Sequence, residues 1–184
     1  MRPVALCLAV LIIMFAGSAS AQVPTSGNVF FGYSFDRTGS LGGNNVNLNG
    51  WNASLEGKVL PWVGLVADFA AGYGSTSTGC AVSESGQQCF GLGHVSEYNI
   101  VFGPRVSFSA GKIRPFAEAL FGAGHINTDT AGSDTSFSTA LGGGVDVKII
   151  RPVAWRLEGD YLQTRFFGST QGNFRFSTGI VVRF

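Results

Sequence analysis

The chain has 184 residues, with 12 basic and 11 acidic side chains and a formal net charge of +1. This near balance excludes binding driven by net charge to nucleic acid or to an anionic surface. Mean hydropathy is positive at +0.26. Beyond the N-terminal region, however, no segment reaches the ~20 apolar residues that a membrane-spanning helix needs. The apolar residues must therefore be distributed in some other pattern.

The first 21 residues have the three parts of a secretory signal peptide. Arg2 is positively charged, residues 4–15 are apolar, and Ala19-Ser20-Ala21 is a small-residue cleavage site. An anchor that is never cleaved is the alternative, but the apolar run is short for a membrane span. We therefore predict a signal peptide at 1–21, with Ala19 and Ala21 at the cleavage site, and a short lead at 22–27.

Two cysteines, Cys80 and Cys89, follow the predicted cleavage site. An exported protein meets an oxidising compartment, so these cysteines predict a disulfide. A metal site is the other use of paired cysteines, but His94 and His125 do not lie at a ligand spacing. We expect no metal and no cofactor.

Eight segments of alternating polarity follow, separated by clusters of Gly, Asn, Ser, Thr or Pro. They lie at 28–37, 48–58, 63–73, 97–108, 114–127, 135–148, 154–164 and 174–184. A period of two residues is the pattern of a β-strand, and a membrane-spanning strand needs ~9–11 residues. The pattern predicts an all-β protein, in which 28–184 form a closed eight-stranded antiparallel up-and-down transmembrane β-barrel.

The charges of these segments all lie on one face of each strand. The acids on this face are Asp36, Glu56, Asp68, Glu97, Glu118, Asp146, Glu158 and Asp160, and the bases are Lys58, Arg105, Arg114, Lys148, Arg156, Arg175 and Arg183. A soluble β-sandwich usually carries much of its charge in its loops, whereas here the loops are mainly uncharged. A charge facing lipid costs ~2–4 kcal/mol at mid-membrane, so the uncharged face is predicted to meet lipid.

The charged face must then line a narrow lumen, in which side chains pack. Buried charges have to pair, because isolated ones are too costly. We predict a stack of ion pairs in which Glu56, Asp68, Glu118 and Glu158 engage Arg105, Arg114, Arg156 and Arg183, with Asp146 and Asp160 as further candidates. Seven apolar residues on this face should fill the interior: Phe30, Val66, Val101, Phe116, Leu120, Leu162 and Val181.

The connections predict the orientation. Those at 38–47, 74–96, 128–134 and 165–173 are longer than those at 59–62, 109–113 and 149–153. Outer-membrane barrels have short periplasmic turns and longer external loops, so both termini are predicted to be periplasmic. The predicted aromatic girdles are Trp62, Phe108, Trp155 and Phe184 at the periplasmic interface, and Tyr73, Tyr98, Phe137 and Phe174 at the outer one.

From residue 23 to the end, the sequence resembles the small eight-stranded outer-membrane barrels of the OmpA/OmpX type. The most specific part is the last segment, 174–184, which has apolar residues at alternate positions and ends on an aromatic residue. The resemblance implies localisation in the outer membrane, contact with its lipid, and recognition by the barrel-assembly machinery. Phe176, Ile180, Val182 and Phe184 would form that assembly signal.

Three classes of function remain for such a barrel. We expect a monomer with a structural or surface-interaction role and a plugged lumen, in which the loops could bind an extracellular ligand. A small or gated diffusion channel is the alternative. A lipid-modifying enzyme is a third class, for which His125 and Ser138 are the nearest residues, but no oriented Ser-His-acid pattern is present. We therefore assign no catalytic residue.

Overall fold

The computed structural model describes residues 26–38, 46–75, 79–83, 86–90, 93–129 and 132–184, with the backbone alone for 79–83 and 86–90. The predicted signal peptide, with Ala19 and Ala21, lies outside the described residues and stays a prediction. No helix in this part of the chain is long and apolar enough to span a membrane.

Ten strands account for most of the described residues. They are β1 (Gly27–Arg37), β2 (Asn47–Lys58), β3 (Val63–Ser75), β4 (Gly79–Ser83), β5 (Gly86–Phe90), β6 (His94–Ser107), β7 (Ile113–Thr128), β8 (Gly132–Lys148), β9 (Val153–Thr164) and β10 (Gln171–Arg183). A short 3-10 helix, η1, covers Phe166–Gly168 between β9 and β10.

Eight of these strands form a closed barrel, and β4 and β5 form a separate hairpin between β3 and β6. Successive barrel strands pair antiparallel, with β3 next to β6. The barrel is closed by β1, which pairs with β10 from Asn28↔Arg183 to Arg37↔Phe174. The predicted fold class is confirmed. The barrel end that holds Ser26 and Phe184 is called the proximal end below, and the opposite end the distal end.

The strands extend further at the distal end than the sequence predicts. β6 begins at His94 and β8 at Gly132, where the sequence indicated Glu97 and Thr135. The predicted loop at 128–134 is therefore wrong, because strand pairing continues to Thr128↔Gly132. The reason is that the outward-facing residues of these strand ends, such as His94, Ser96 and Ser133, are polar, so the apolar outer face ends while backbone pairing continues. The long loop predicted at 74–96 contains the β4–β5 hairpin.

The outward and inward faces differ as the alternation predicted. The outer surface carries large exposed apolar residues on every barrel strand, among them Phe31, Leu65, Ile100, Phe121, Leu141, Tyr161 and Phe176. All eight predicted girdle residues are exposed on this surface, and Tyr73 and Tyr98 pack edge to face with ring centroids 6.0 Å apart. A closed sheet pairs its backbone groups without water, as the interior of a bilayer requires, and the outer surface of this sheet is apolar.

The seven predicted interior apolar residues are all buried, and six of them, all but Phe116, belong to two of three apolar layers. Phe30 and Val181 pack with Ala154 near the proximal end. Val66, Val101, Leu120 and Leu162 pack with Ala140 in a second layer. A third layer, at the distal end, combines Val46, Leu48, Val95 and Ile126 with Phe166 of η1.

Candidate functional site in the barrel lumen

Three arginines lie in the lumen and have almost no exposed surface. Arg105 of β6 and Arg156 of β9 are fully buried, and Arg175 of β10 is 2% exposed. Their side chains point inward because each lies at an even step from other inward residues of its strand. A guanidinium group stays charged and carries five donors, so each arginine can join several carboxylates.

Arg105 connects three carboxylates. Its guanidinium lies 2.5 Å from Glu118, 3.2 Å from Glu158 and 3.5 Å from Glu56. Glu118 is its direct partner across the β6–β7 pair, whereas Glu56 and Glu158 reach it from β2 and β9. Arg105 therefore connects residues on four strands.

The carboxylate of Glu56 is surrounded by donors near the proximal end. Lys58 lies 2.6 Å from it and Arg114 3.2 Å, and the Asn28 amide donates to it at 2.7 Å. Arg114 also donates to the Ser107 hydroxyl at 2.6 Å. The charge of this buried carboxylate is thus balanced by groups from both sides of the lumen.

Asp146 is the second acid near the proximal end, and it lies between two arginines. Arg156 donates to both of its carboxylate oxygens, at 2.7 and 3.2 Å. Arg183 contacts it at 3.2 Å, with 30% of its side chain exposed. Asp146 was only a further candidate in the sequence, where Arg183 was predicted to pair with glutamates or Asp68.

Arg175 forms a pairing that the sequence did not predict. It donates to Asp160 at 2.8 and 3.0 Å and to Asp68 at 2.9 Å, while the Asn52 amide donates to Asp68 at 2.8 Å. The prediction that Asp68 engages Arg105, Arg114, Arg156 or Arg183 is therefore wrong. Arg175 lies on the charged face of its strand, but its partners depend on strand register and on contacts across the lumen.

Phe116 lies between two of the arginines. The guanidinium carbons of Arg105 and Arg156 are 4.4 and 4.6 Å from the centre of its ring, and Arg156 also lies 5.0 Å from the ring of Phe30. Aromatic faces attract cations, most strongly where water is excluded. The interior phenylalanines therefore fix the arginines as well as filling space.

The lumen charges are separated along the barrel axis. The proximal end holds the bases Lys58, Arg114, Lys148, Arg156 and Arg183, with Glu56 and Asp146 as its acids. The middle and distal part holds the acids Asp36, Asp68, Glu97, Glu118, Glu158 and Asp160, with Arg175 as its base. Arg105 and Arg156 pair with acids of both groups. Although the two signs nearly balance over the whole lumen, one end is basic and the remainder is acidic.

The distal rim carries exposed polar residues. The His94 backbone N–H donates to the Asp129 carboxylate at 3.0 Å, and this bond, together with the His94 ring, holds the pKa of Asp129 below its ordinary value. His125 is exposed and its ring contacts the Thr135 hydroxyl at 2.7 Å. Ser138 is fully buried in the lumen. The two residues considered for an enzyme thus lie on opposite sides of the barrel wall.

The two cysteines are opposite one another in the β4–β5 hairpin, where Cys80 is the pairing partner of Cys89. The residues of the predicted assembly signal lie on the outer surface. The exposed fraction of each is 45–61%. Phe176, Ile180 and Val182 lie in β10, the strand that closes the barrel against β1, and Phe184 comes directly after it.

Several solved structures share this fold, although no protein-family profile and no curated protein sequence matches the chain. Neisserial surface protein A superposes with a TM-score of 0.68 at 15% identity, over 86% of this chain and 97% of that one. Ail, the attachment invasion locus protein of Yersinia pestis, has a TM-score of 0.58 at 16% identity, over 86% and 98%. OprG, an outer membrane protein of Pseudomonas aeruginosa, has a TM-score of 0.57 at 8% identity, over 88% of this chain and 97% of that one. The chain therefore has the fold of the small outer-membrane β-barrels.

Proposed function

We propose that this chain is an integral outer-membrane barrel with a lumen closed by ion pairs, and that its role is structural or lies in interactions at the cell surface. The observation that carries the proposal is the filled lumen. Arg105, Arg156 and Arg175 lie inside it with no more than 2% of their surface exposed. A barrel of eight strands is just wide enough for its side chains to fill.

Apolar layers support closure at both ends. At the distal end, Phe166 of η1 packs fully buried on Leu48 and Ile126, so the β9–β10 connection covers this end of the lumen. At the proximal end, Phe30 packs with Ala154 and Val181. An ion crossing the barrel would have to displace both apolar layers.

Planar-bilayer recording tests the closed lumen against the alternative of a small or gated diffusion channel. We expect refolded protein to show no steady, reproducible conductance. The folded fraction should be checked on the same sample by gel mobility with and without boiling, so that an absence of conductance cannot be due to misfolded protein. Reproducible unitary steps from folded protein would contradict closure and favour the channel.

The proposed orientation places the β4–β5 hairpin outside the cell and both termini in the periplasm, after removal of residues 1–21. The hairpin lies at the distal end, and Ser26 and Phe184 at the other. An epitope inserted at 76–78 should bind antibody on intact cells. The same epitope at 109–112, in a proximal turn, should bind only after the outer membrane is permeabilised. The reverse result would overturn the orientation.

The surface role rests on what lies at the distal end, since the lumen offers no free passage. Ail has been crystallised with the heparin analogue sucrose octasulfate. The distal end of this chain exposes Arg37 and Arg165, but also Asp129 and Asp134, so its described residues do not form a basic surface for a polysulfate. We therefore propose an interaction surface without carrying that ligand over.

We further propose that the chain is a monomer in outer-membrane lipid and that the barrel-assembly machinery recognises its last strand. Four apolar residues of that strand face outward at alternate positions, where a membrane-embedded factor could contact them. A lipid-modifying activity is not proposed, because His125 and Ser138 lie on opposite sides of the wall. Replacing Phe184 with Ser should reduce outer-membrane levels of the protein, measured by fractionation, whereas replacing exposed Phe137 with Ser should reduce them less.

A further inference from the structure

We propose that the lumen holds a calcium-binding site formed by Glu118, Glu158 and Asp160. One oxygen from each of these three carboxylates can be chosen so that all three oxygens lie within 4.8 Å of one another. The side chains come from β7 and β9 and are at most 6% exposed. No sequence motif indicates a metal here, because the three carboxylates come together only in the folded barrel.

Each of the three carboxylates is only half satisfied. Glu118 and Glu158 each use Oε2 for Arg105, and Asp160 uses Oδ2 for Arg175. The other oxygens, Oε1 of both glutamates and Oδ1 of the aspartate, are buried with no hydrogen-bond partner among the described residues. Buried polar atoms are rarely left in this state. From three such atoms on three neighbouring carboxylates we infer a bound group with positive charge.

The surrounding charge favours a cation at this point. Among the described residues, the six acids of the middle and distal part have Arg105, Arg156 and Arg175 as their arginine partners. Arg175 is divided between Asp68 and Asp160. Arg105 is shared with Glu56 at 3.5 Å, and Arg156 contacts Glu158 at 3.5 Å but pairs with Asp146 at 2.7 Å. Six carboxylates are thus opposed by three arginines, two of which also serve acids of the proximal group. Carboxylates this close repel one another unless a cation or a proton intervenes.

Space for the cluster is provided by a glycine. Gly142 lies opposite Asp160 in the β8–β9 pair. A Cβ at position 142 would lie 2.0 Å from the unpartnered Oδ1 of Asp160. Any other residue would therefore fill the place that this oxygen occupies. Gly142, the first of three consecutive glycines, thus leaves room for a carboxylate.

The spacing and donor type fit calcium better than magnesium. Both ions prefer oxygen ligands, but calcium binds them at about 2.3–2.6 Å in flexible geometry, whereas magnesium demands about 2.0–2.1 Å in a near-ideal octahedron. Ligands on opposite sides of calcium are therefore about 5 Å apart, and on opposite sides of magnesium about 4 Å. A spread of up to 4.8 Å can be bridged by calcium without moving the strands.

Equilibrium dialysis of the full-length folded protein against radioactive calcium, in lipopolysaccharide-free detergent, tests this inference. We expect saturable binding of one calcium per chain, and at least tenfold weaker competition by magnesium. Asp160→Asn should weaken calcium binding at least tenfold. Asp146→Asn is the matched control, because Asp146 is an equally buried lumen acid whose oxygens both accept from arginine; it should change binding less than twofold.

Folding of each variant should be verified by the mobility difference between boiled and unboiled samples. Calcium binding to the folded wild-type protein tests the site even if Asp160→Asn does not fold. Absence of saturable binding to the wild-type protein would overturn the proposal. In that case the three carboxylates would be neutralised by shared protons. Equal loss in Asp160→Asn and Asp146→Asn would also overturn it, because binding would then follow general lumen charge.

Discussion

At the scale of single residues, Arg105 and Arg183 make a natural comparison. Both are lumen arginines near the proximal ends of their strands, but Arg105 is fully buried among three glutamates, whereas Arg183 has one ion pair and a side chain 30% exposed. Removing one partner of a buried ion pair leaves the other charge buried and unpaired, which costs ~3–5 kcal/mol. An exposed pair is worth ~0–1 kcal/mol.

We therefore expect Arg105→Met to lower the free energy of unfolding by ~3 kcal/mol or more, and Arg183→Met by ~1 kcal/mol or less. Urea titration of protein folded into lipid vesicles, followed by tryptophan fluorescence, measures both. The methionine preserves much of the side-chain volume, so the difference reports charge and not a cavity. Equal losses in the two variants would show that Arg105 does not organise the lumen.

The sequence was informative about which side of the wall a residue faces and uninformative about its partner. The face follows from local alternation, which is why Phe116 and Glu118 were both expected inside. The partner depends on the stagger between strands and on contacts across the lumen, neither of which leaves a local pattern. Asp68 therefore could not be matched to Arg175, and the convergence of Glu118 and Glu158 with Asp160 was not foreseen.

At the scale of elements, the β4–β5 hairpin is the clearest target. Directly opposed residues of an antiparallel pair have Cα atoms about 4.5–5.5 Å apart, within the range of about 4.4–6.8 Å that a disulfide bridges. The backbone register Cys80↔Cys89 is therefore compatible with a disulfide, which stays a prediction. Without reductant, neither thiol should react with iodoacetamide in mass spectrometry of the exported protein.

Loss of this disulfide should act on the hairpin and not on the barrel, since β4 and β5 pair only with each other among the described strands. We expect Cys80→Ser to speed proteolysis within 79–90 at least tenfold. The urea midpoint of the barrel should be unchanged. Ser83→Ala in the same hairpin is the control and should leave the cleavage rate near that of the wild type. A large shift of the barrel midpoint would contradict this separation.

The barrel strands were found with errors of more than one residue only at their distal ends. Alternation identifies a strand only while one face is apolar. Asn127 and Ser133 are paired, but polar residues lie on both faces there, so the sequence indicated a loop. Backbone hydrogen bonds extend the β7–β8 hairpin beyond the apolar coat without any help from the side chains.

At the scale of the whole molecule, the barrel depends on the seam between β1 and β10. Gly32 and Gly179 face each other across it, and a Cβ at Gly179 would lie 2.3 Å from the Phe31 carbonyl oxygen and 2.4 Å from the Gly32 Cα. These are backbone atoms, which cannot yield as a flexible side chain would. A larger residue at 179 should therefore separate the closing strands.

Gly179→Val should prevent or strongly reduce the compact species that migrates differently before and after boiling. Gly159→Val is the matched control, because nothing lies within 4 Å of its Cβ position, and it should retain the mobility shift of the wild-type protein. Gel electrophoresis of refolded samples measures both. Normal mobility in Gly179→Val would mean that the seam tolerates a wider spacing than the structure has.

The arginine-centred interior also determines how this barrel should respond to its denaturant. Guanidinium chloride delivers the head group of arginine as a free ion, so it can occupy the carboxylates that Arg105, Arg156 and Arg175 hold, while its ionic strength screens the remaining pairs. Urea can do neither. For soluble proteins, guanidinium is about twice as effective as urea per mole. Here the ratio should be larger, because the denaturant competes directly with the side chains that hold the lumen together.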